Sequence, residues 1–169
     1  PADIAPVTLL PHARSCVLLT KEGCLTSCNT ILRYLAGLRE DLALGGATEF
    51  EEALVDQWME FTWHELEVPV AAVVLPPEAG EVKSDPKQVK QFVEGDLRKA
   101  MELLTSELAS RTFLVGNKLS IADVAAACQM LPILSEFPSI LLSDYPPLMR
   151  WLQTCMYQPA FISVLGDPA

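Results

Sequence analysis

A chain of 169 residues, half of them hydrophobic, can close one sizeable core with room for a small appended lobe. Twenty-two acidic against twelve basic side chains give a formal charge of −10, which opposes a phosphate backbone and an anionic membrane surface and argues against direct nucleic-acid binding. No apolar run reaches membrane-spanning length and the N-terminus lacks the basic-then-apolar order of a signal peptide, so a cytoplasmic chain is expected. Five cysteines, Cys16, Cys24, Cys28, Cys128 and Cys155, are an odd number without a Cys-x-x-Cys pair, and reduced thiols are the simple reading.

Residues 1–11, PADIAPVTLLP, and 16–20, CVLLT, are short apolar runs separated by a turn-prone Pro-His-Ala-Arg-Ser, and they predict strands of a small sheet. Pro6 ahead of Val7-Thr8-Leu9-Leu10 resembles the proline before the third strand of thioredoxin-like folds, where the bond is cis. After Lys21-Glu22-Gly23, CLTSCNTILRYLAGL predicts an amphipathic helix with Ile31, Tyr34, Leu35 and Leu38 on one face. Residues 39–49 form a polar connection hinged at Gly45-Gly46.

In the long segment that follows, Phe50, Leu54, Trp58, Phe61 and Leu66 keep helical spacing with acids on the remaining face, and Pro69 kinks or ends the first part. By spacing alone Trp58 is core. His64-Glu65 begins like a zinc-protease HExxH, but Val68 stands where the second imidazole is needed, so no metal site is expected. PPEAGEVKSD, residues 76–85, has the composition of a solvated loop. From Pro86 onward, Val89, Phe92, Val93, Leu97, Ala100, Leu103, Leu104 and Leu108 form a helical stripe with a charged outer side.

Residues 111–134, RTFLVGNKLSIADVAAACQMLPIL, organise the rest. The apolar run Phe113-Leu114-Val115 stops at Gly116, where the chain can turn. Ser120 stands where an N-cap belongs. Three residues on, Asp123 can reach back to the freed backbone N–H groups, a capping box with Asp in place of Glu or Gln. Ile121, Val124, Ala125, Cys128 and Leu131 then recur at helical spacing, and Ala125, Ala126 and Ala127 keep the helix thin enough for close neighbours. A central, buried helix is predicted, with Ser120 and Asp123 nucleating it rather than catalysing. Leu148 to Tyr157 is a further amphipathic helix, and Gln158-Pro159 restarts the chain into Ala160–Gly166.

FLVGNKLSIAD resembles the segment that carries a buried capping box and starts the core helix in the C-terminal helical domain of the glutathione transferase superfamily. VDQWMEF, followed by Glu65-Leu66, and the closing RWLQTCMYQPAF and SVLG resemble one branch of it. That branch is found in the gamma subunit of translation elongation factor one and in appended domains of valyl- and methionyl-tRNA synthetases. The likeness covers residues 48–166, and more loosely 16–40. The implied fold is mostly α: a transferase C-terminal-like bundle of five or six helices over residues 48–169, beside a truncated thioredoxin-like remnant over 1–42.

Ile31-Leu32-Arg33-Tyr34-Leu35 resembles the helix after the last thioredoxin-like strand. In active members of the superfamily a Glu-Ser pair there holds the γ-glutamyl end of glutathione. Here Ser27-Cys28 stands in its place, with no carboxylate and with a thiol for the hydroxyl. The strand that ends in the family's catalytic Tyr, Ser or Cys has no room before Leu25. A nucleophile and base drawn from His12, Ser15 and Cys16 have nothing to fix their geometry. The expectation is therefore no catalytic residue, no bound cofactor and no metal.

Three functions are compatible with this fold. The leading one, by resemblance, is an assembly domain that joins synthetases, their auxiliary scaffold proteins or elongation-factor subunits through partner transferase-like domains, as a homodimer or heterodimer. The second is a glutathione-dependent enzyme using Cys16 or Cys28 as a thiolate. The third is a small-molecule binder with a crevice beside Trp58 and Tyr34. The candidate docking faces are the helix of Arg33 and Tyr34 and the helix of Arg150, because an Arg fork stacks and pairs with carboxylates. A Pro-Ala start without Met and a Gly-Asp-Pro-Ala end predict a piece of a longer ligase, scaffold protein or elongation-factor subunit.

Overall fold

The structure, a computed structural model, describes residues 16–67, 70, 87, 91–136, 138 and 144–166. The expectations for residues 1–15, for Pro69, for the loop at 76–85 and for the side chains of Val89, Phe92 and Val93 lie outside the described residues.

The first described element is a hairpin. Strand β1, Val17–Leu19, pairs antiparallel with β2, Cys24–Thr26, in the register Val17↔Thr26, Leu18↔Leu25 and Leu19↔Cys24. Thr20 closes the turn: its hydroxyl oxygen accepts from the N–H of Glu22 at 3.2 Å and of Gly23 at 3.1 Å. The helix predicted from residue 24 thus begins only at Cys28, because residues 24–26 find ladder partners in β1 that outweigh local helical spacing.

Helix α1, Cys28–Gly37, buries Ala36 and leans Leu32 on the core. Leu35 and Leu38 are 44% and 62% exposed, so the apolar face predicted from them is not the buried one. A short 3₁₀ turn, Glu40–Leu42, leads to the glycine hinge and α2, Glu49–Phe61. Thr48 caps α2 by accepting from Glu51 N–H at 3.2 Å, Glu51 accepts from Ala47 N–H at 2.9 Å, and the first turn carries Glu49, Glu51 and Glu52. Phe50, 73% exposed, is outside the core, which takes Val55, Trp58 and Met59 instead.

α2 runs on as a π-helical stretch, Thr62–Glu67, in which Thr62 donates its hydroxyl to the Trp58 carbonyl at 2.8 Å. A second π-helical stretch, Phe92–Leu97, leads into α3, Arg98–Leu108. Leu97, Ala100, Met101, Leu104 and Leu108 are buried here, whereas Leu103, placed in the stripe by spacing, faces out.

Helix α4, Ile121–Glu136, is the centre of the described bundle, packed by α1, by α2 with its π-helical extension, and by α5, Pro146–Met156. Ala122, Ala126, Ala127, Met130 and Ile133 are fully buried, and the small residues let neighbouring backbones approach. Cys128, predicted on the buried stripe, is exposed. Pro132 sits inside the helix without ending it. α5 buries Leu148, Trp151, Leu152 and Cys155, and α6, Pro159–Leu165, adds Phe161. Both start on proline, whose fixed φ and missing N–H suit a first helical position. No helix among the described residues is long and apolar enough to cross a membrane.

Candidate functional site

The most polar point of the core is Asp123, which has no exposed surface. Its Oδ1 accepts from Leu114 N–H at 2.9 Å and from the Trp151 indole N–H at 2.8 Å. Its Oδ2 accepts from Ser120 N–H at 2.9 Å and from the Ser120 hydroxyl at 2.7 Å. The Ser120 oxygen in turn accepts from Asp123 N–H at 3.4 Å. One carboxylate in the first turn of α4 therefore fastens the 113–115 segment, the helix start and α5, with two donors on each oxygen. Ile121 N–H adds a 2.9 Å bond to the Leu44 carbonyl, which ties the same turn to the connection before α2. With every acceptor position engaged and no access to solvent, the cluster has the chemistry of a structural clamp.

The predicted docking residues fall elsewhere. Arg33 donates to the Gly45 carbonyl at 3.2 Å and forms an ion pair with Asp56, so α1 is strapped to the hinge and to α2. Tyr34 beside it is half-buried. Arg150 donates to the carbonyls of Leu108 and, at 2.9 Å, Arg111, bonding acceptors at the end of α3 and in the turn after it. Neither guanidinium simply solvates its helix. His64 lies 3.4 Å from Glu60 on the exposed side of α2's extension. Trp58 is 5% exposed and packs edge-to-face on Phe61 at 5.4 Å, which makes it core rather than the wall of a ligand crevice.

At the start of α1, Ser27 holds φ 77, a backbone region that non-glycine residues rarely adopt, and Cys28 follows as the first helical residue. The Cys16 and Cys28 sulfurs are 2.9 Å apart. The hydrogen bond with Cys16, then burial, push the Cys28 thiol up to about 11. Burial, with Asp123 nearby, also raises the Cys155 thiol. An activated nucleophile needs the opposite direction. No group of three or more His, Cys, Asp or Glu side chains among the described residues could hold a metal ion.

Two contributors escaped the sequence reading. Trp151 was assigned only to an amphipathic helix, although a buried indole N–H always needs an acceptor. Thr48-x-x-Glu51 is a capping box written in the sequence but absorbed into a polar connection.

The family described as "Glutathione S-transferase, C-terminal domain" matches residues 61–159, from the last residue of α2 through the Asp123 clamp and α5. The chain belongs to this family. Over nearly its whole length, the sequence is 30% identical over 158 residues to a probable elongation factor 1-gamma of Arabidopsis thaliana, covering 93% of this chain and 38% of that protein. It is 32% identical over 145 residues to elongation factor 1-gamma of Danio rerio, covering 85% and 31%. The chain thus spans about a third of the length of these curated relatives. A crystal structure of poplar glutathione transferase F1 has the same fold, with a TM-score of 0.77 at 21% identity, covering 88% of this chain and 71% of that one.

Proposed function

We propose that this transferase-family domain is a non-catalytic assembly module of the translation machinery. It joins an aminoacyl-tRNA synthetase, an auxiliary scaffold protein or an elongation-factor subunit to a partner transferase-like domain, as a homodimer or heterodimer. The elongation-factor relatives support the setting. The observation that carries assembly over catalysis is at Ser27-Cys28. The two residues that open α1 offer a hydroxyl and a thiol that holds its proton up to about 11, and neither of them supplies a carboxylate for a ligand amine.

The docking face is α1 with the turn after it. Leu35, Leu38 and Leu42 are 44%, 62% and 42% exposed, an apolar row beside Tyr34 and the braced Arg33. α5 with Arg150 is the second face. Sedimentation velocity of the chain alone, and mixed with transferase-like domains of elongation-factor and synthetase origin, tests the reading. A dimer or complex is expected, weakened at least about tenfold by Leu38→Glu. Loss in Arg33→Glu alone assigns the interface to α1, and loss in Arg150→Glu alone assigns it to α5. A wild type that stays monomeric with every domain offered, or one that binds glutathione saturably in the micromolar range, overturns the reading.

A further inference from the structure

We infer that Cys16 and Cys28 are a dithiol–disulfide site, oxidised by thiol–disulfide exchange with a small organic disulfide. This stands apart from the assembly reading, since it uses only the geometry of the hairpin and the first turn of α1.

The two sulfurs are twelve residues apart in sequence and 2.9 Å apart in space. That is inside the roughly 3.5–4.0 Å of ordinary nonbonded contact between carbon atoms, and sulfur is larger. The backbone holds them there. The ladder ends with Val17 opposite Thr26, so Cys16 lies one step past it on one strand and Ser27 one step past it on the other. The positive φ at Ser27 then turns the chain so that the next side chain, Cys28, meets Cys16. Neither position depends on a long flexible segment.

Access follows the same asymmetry. Cys16 is exposed and Cys28 half-buried, so a disulfide in solution meets Cys16 first. The Cys16 thiolate attacks one sulfur of that disulfide, forming a mixed disulfide and releasing one thiolate. Cys28, as thiolate, then attacks the Cys16 sulfur and expels the second. The two cysteines lose two protons and two electrons together, and the small disulfide becomes two thiols. The first step also prepares the second. The largest cause of the raised Cys28 thiol is its hydrogen bond with Cys16, and that bond ends when the Cys16 sulfur enters the mixed disulfide.

Cys16 and Cys28 are set apart from the other thiols by this sulfur–sulfur hydrogen bond. Cys155 is fully buried, and the Cys24 thiol donates to its neighbour's carbonyl, Leu25, at 3.9 Å. Once formed, the cross-link ties the hairpin to the first turn of α1, the helix that carries Arg33, Leu35 and Leu38.

The test uses the 169-residue chain in buffers of β-mercaptoethanol and its disulfide at fixed total thiol, quenched by alkylation and read by peptide mass mapping. The wild type is expected to lose two hydrogens across the peptides of Cys16 and Cys28. Half-oxidation should come at a disulfide-to-thiol ratio at least about tenfold lower than Cys28→Ser needs to load a mixed disulfide on Cys16, because a thiol held in contact acts at high effective concentration. Cys24→Ser should behave as wild type. Equal loading of mixed disulfide on Cys16 in wild type and Cys28→Ser overturns the inference. So do bonds only between two chains, or an unreacted pair while exposed Cys128 is consumed. Circular dichroism establishes that the variants are folded; if Cys28→Ser is not, the wild-type mapping alone decides.

Discussion

Replacing Asp123 by asparagine keeps the shape of the buried clamp and removes its charge, so the loss can be worked donor by donor. In wild type the side chain accepts from Leu114 N–H, Trp151 Nε1–H, Ser120 N–H and the Ser120 hydroxyl. The amide oxygen of Asn can keep the first two, as neutral rather than charge-assisted bonds, a loss of about 1 kcal/mol each. Its NH₂ then faces Ser120 N–H. The hydroxyl can rotate to accept, but the backbone donor is stranded at about 1–3 kcal/mol. The sum is about 3–5 kcal/mol for Asp123→Asn. Asp123→Ala strands three fixed donors and should cost about 3–9 kcal/mol, a range that reaches the whole stability of a typical domain. Trp151→Phe removes one donor and leaves the carboxylate otherwise served, about 1.5–3 kcal/mol. Urea unfolding followed by circular dichroism gives the three differences, provided the denaturant slope is unchanged. An Asp123→Asn within about 0.5 kcal/mol of wild type, against surface substitutions that normally fall in that band, would refute the clamp.

The central helix was legible because its signal is local. Ser120 and Asp123 are three residues apart, and the apolar run before them ends at a glycine, so cap, turn and helix can all be read within one short window. The far ends of the clamp were not. Trp151 is twenty-eight residues from Asp123, and the carbonyls that receive Arg150 belong to the end of α3. Periodicity recovered helices more reliably than faces. Leu35, Leu38, Phe50 and Leu103 all keep helical spacing yet stay exposed, because the buried face is chosen by whichever neighbours pack on it, and in α1, which packs on α4, the buried residue is the small Ala36. The π-helical turns after α2 shift the register again, burying Thr62 and Leu66 while Phe61 is left half-buried. Strand β2 was hidden for a related reason, since three residues without alternation show their pairing only when β1 lies opposite.

Two further outcomes are expected. Gly46→Ala should destabilise by about 2–3 kcal/mol or more, because Gly46 holds φ 116 and an added Cβ would lie 2.5 Å from the Glu52 backbone nitrogen. Gly45→Ala, whose Cβ would meet side chains alone, the Arg33 guanidinium end at 3.1 Å and the Ala36 Cβ at 3.9 Å, should cost less in the same urea titration, and an equal or greater loss there refutes the backbone argument. The second outcome concerns alkaline pH with a reductant present. Cys28 is raised from 9.0 to about 11, chiefly by its hydrogen bond with Cys16, and burial raises Cys155 and Tyr145 in the same direction. A folded state that holds its protons more tightly than the unfolded chain keeps its full stability below pH 9. Above that the unfolded thiol ionises while the folded one does not, and stability is lost as pH climbs through the folded value of about 11. Melting temperatures recorded from neutral pH upward should therefore fall more steeply in wild type than in Cys16→Ala, where the largest cause of the shift is gone. Parallel curves would show that the contact between the two sulfurs does not hold the Cys28 proton.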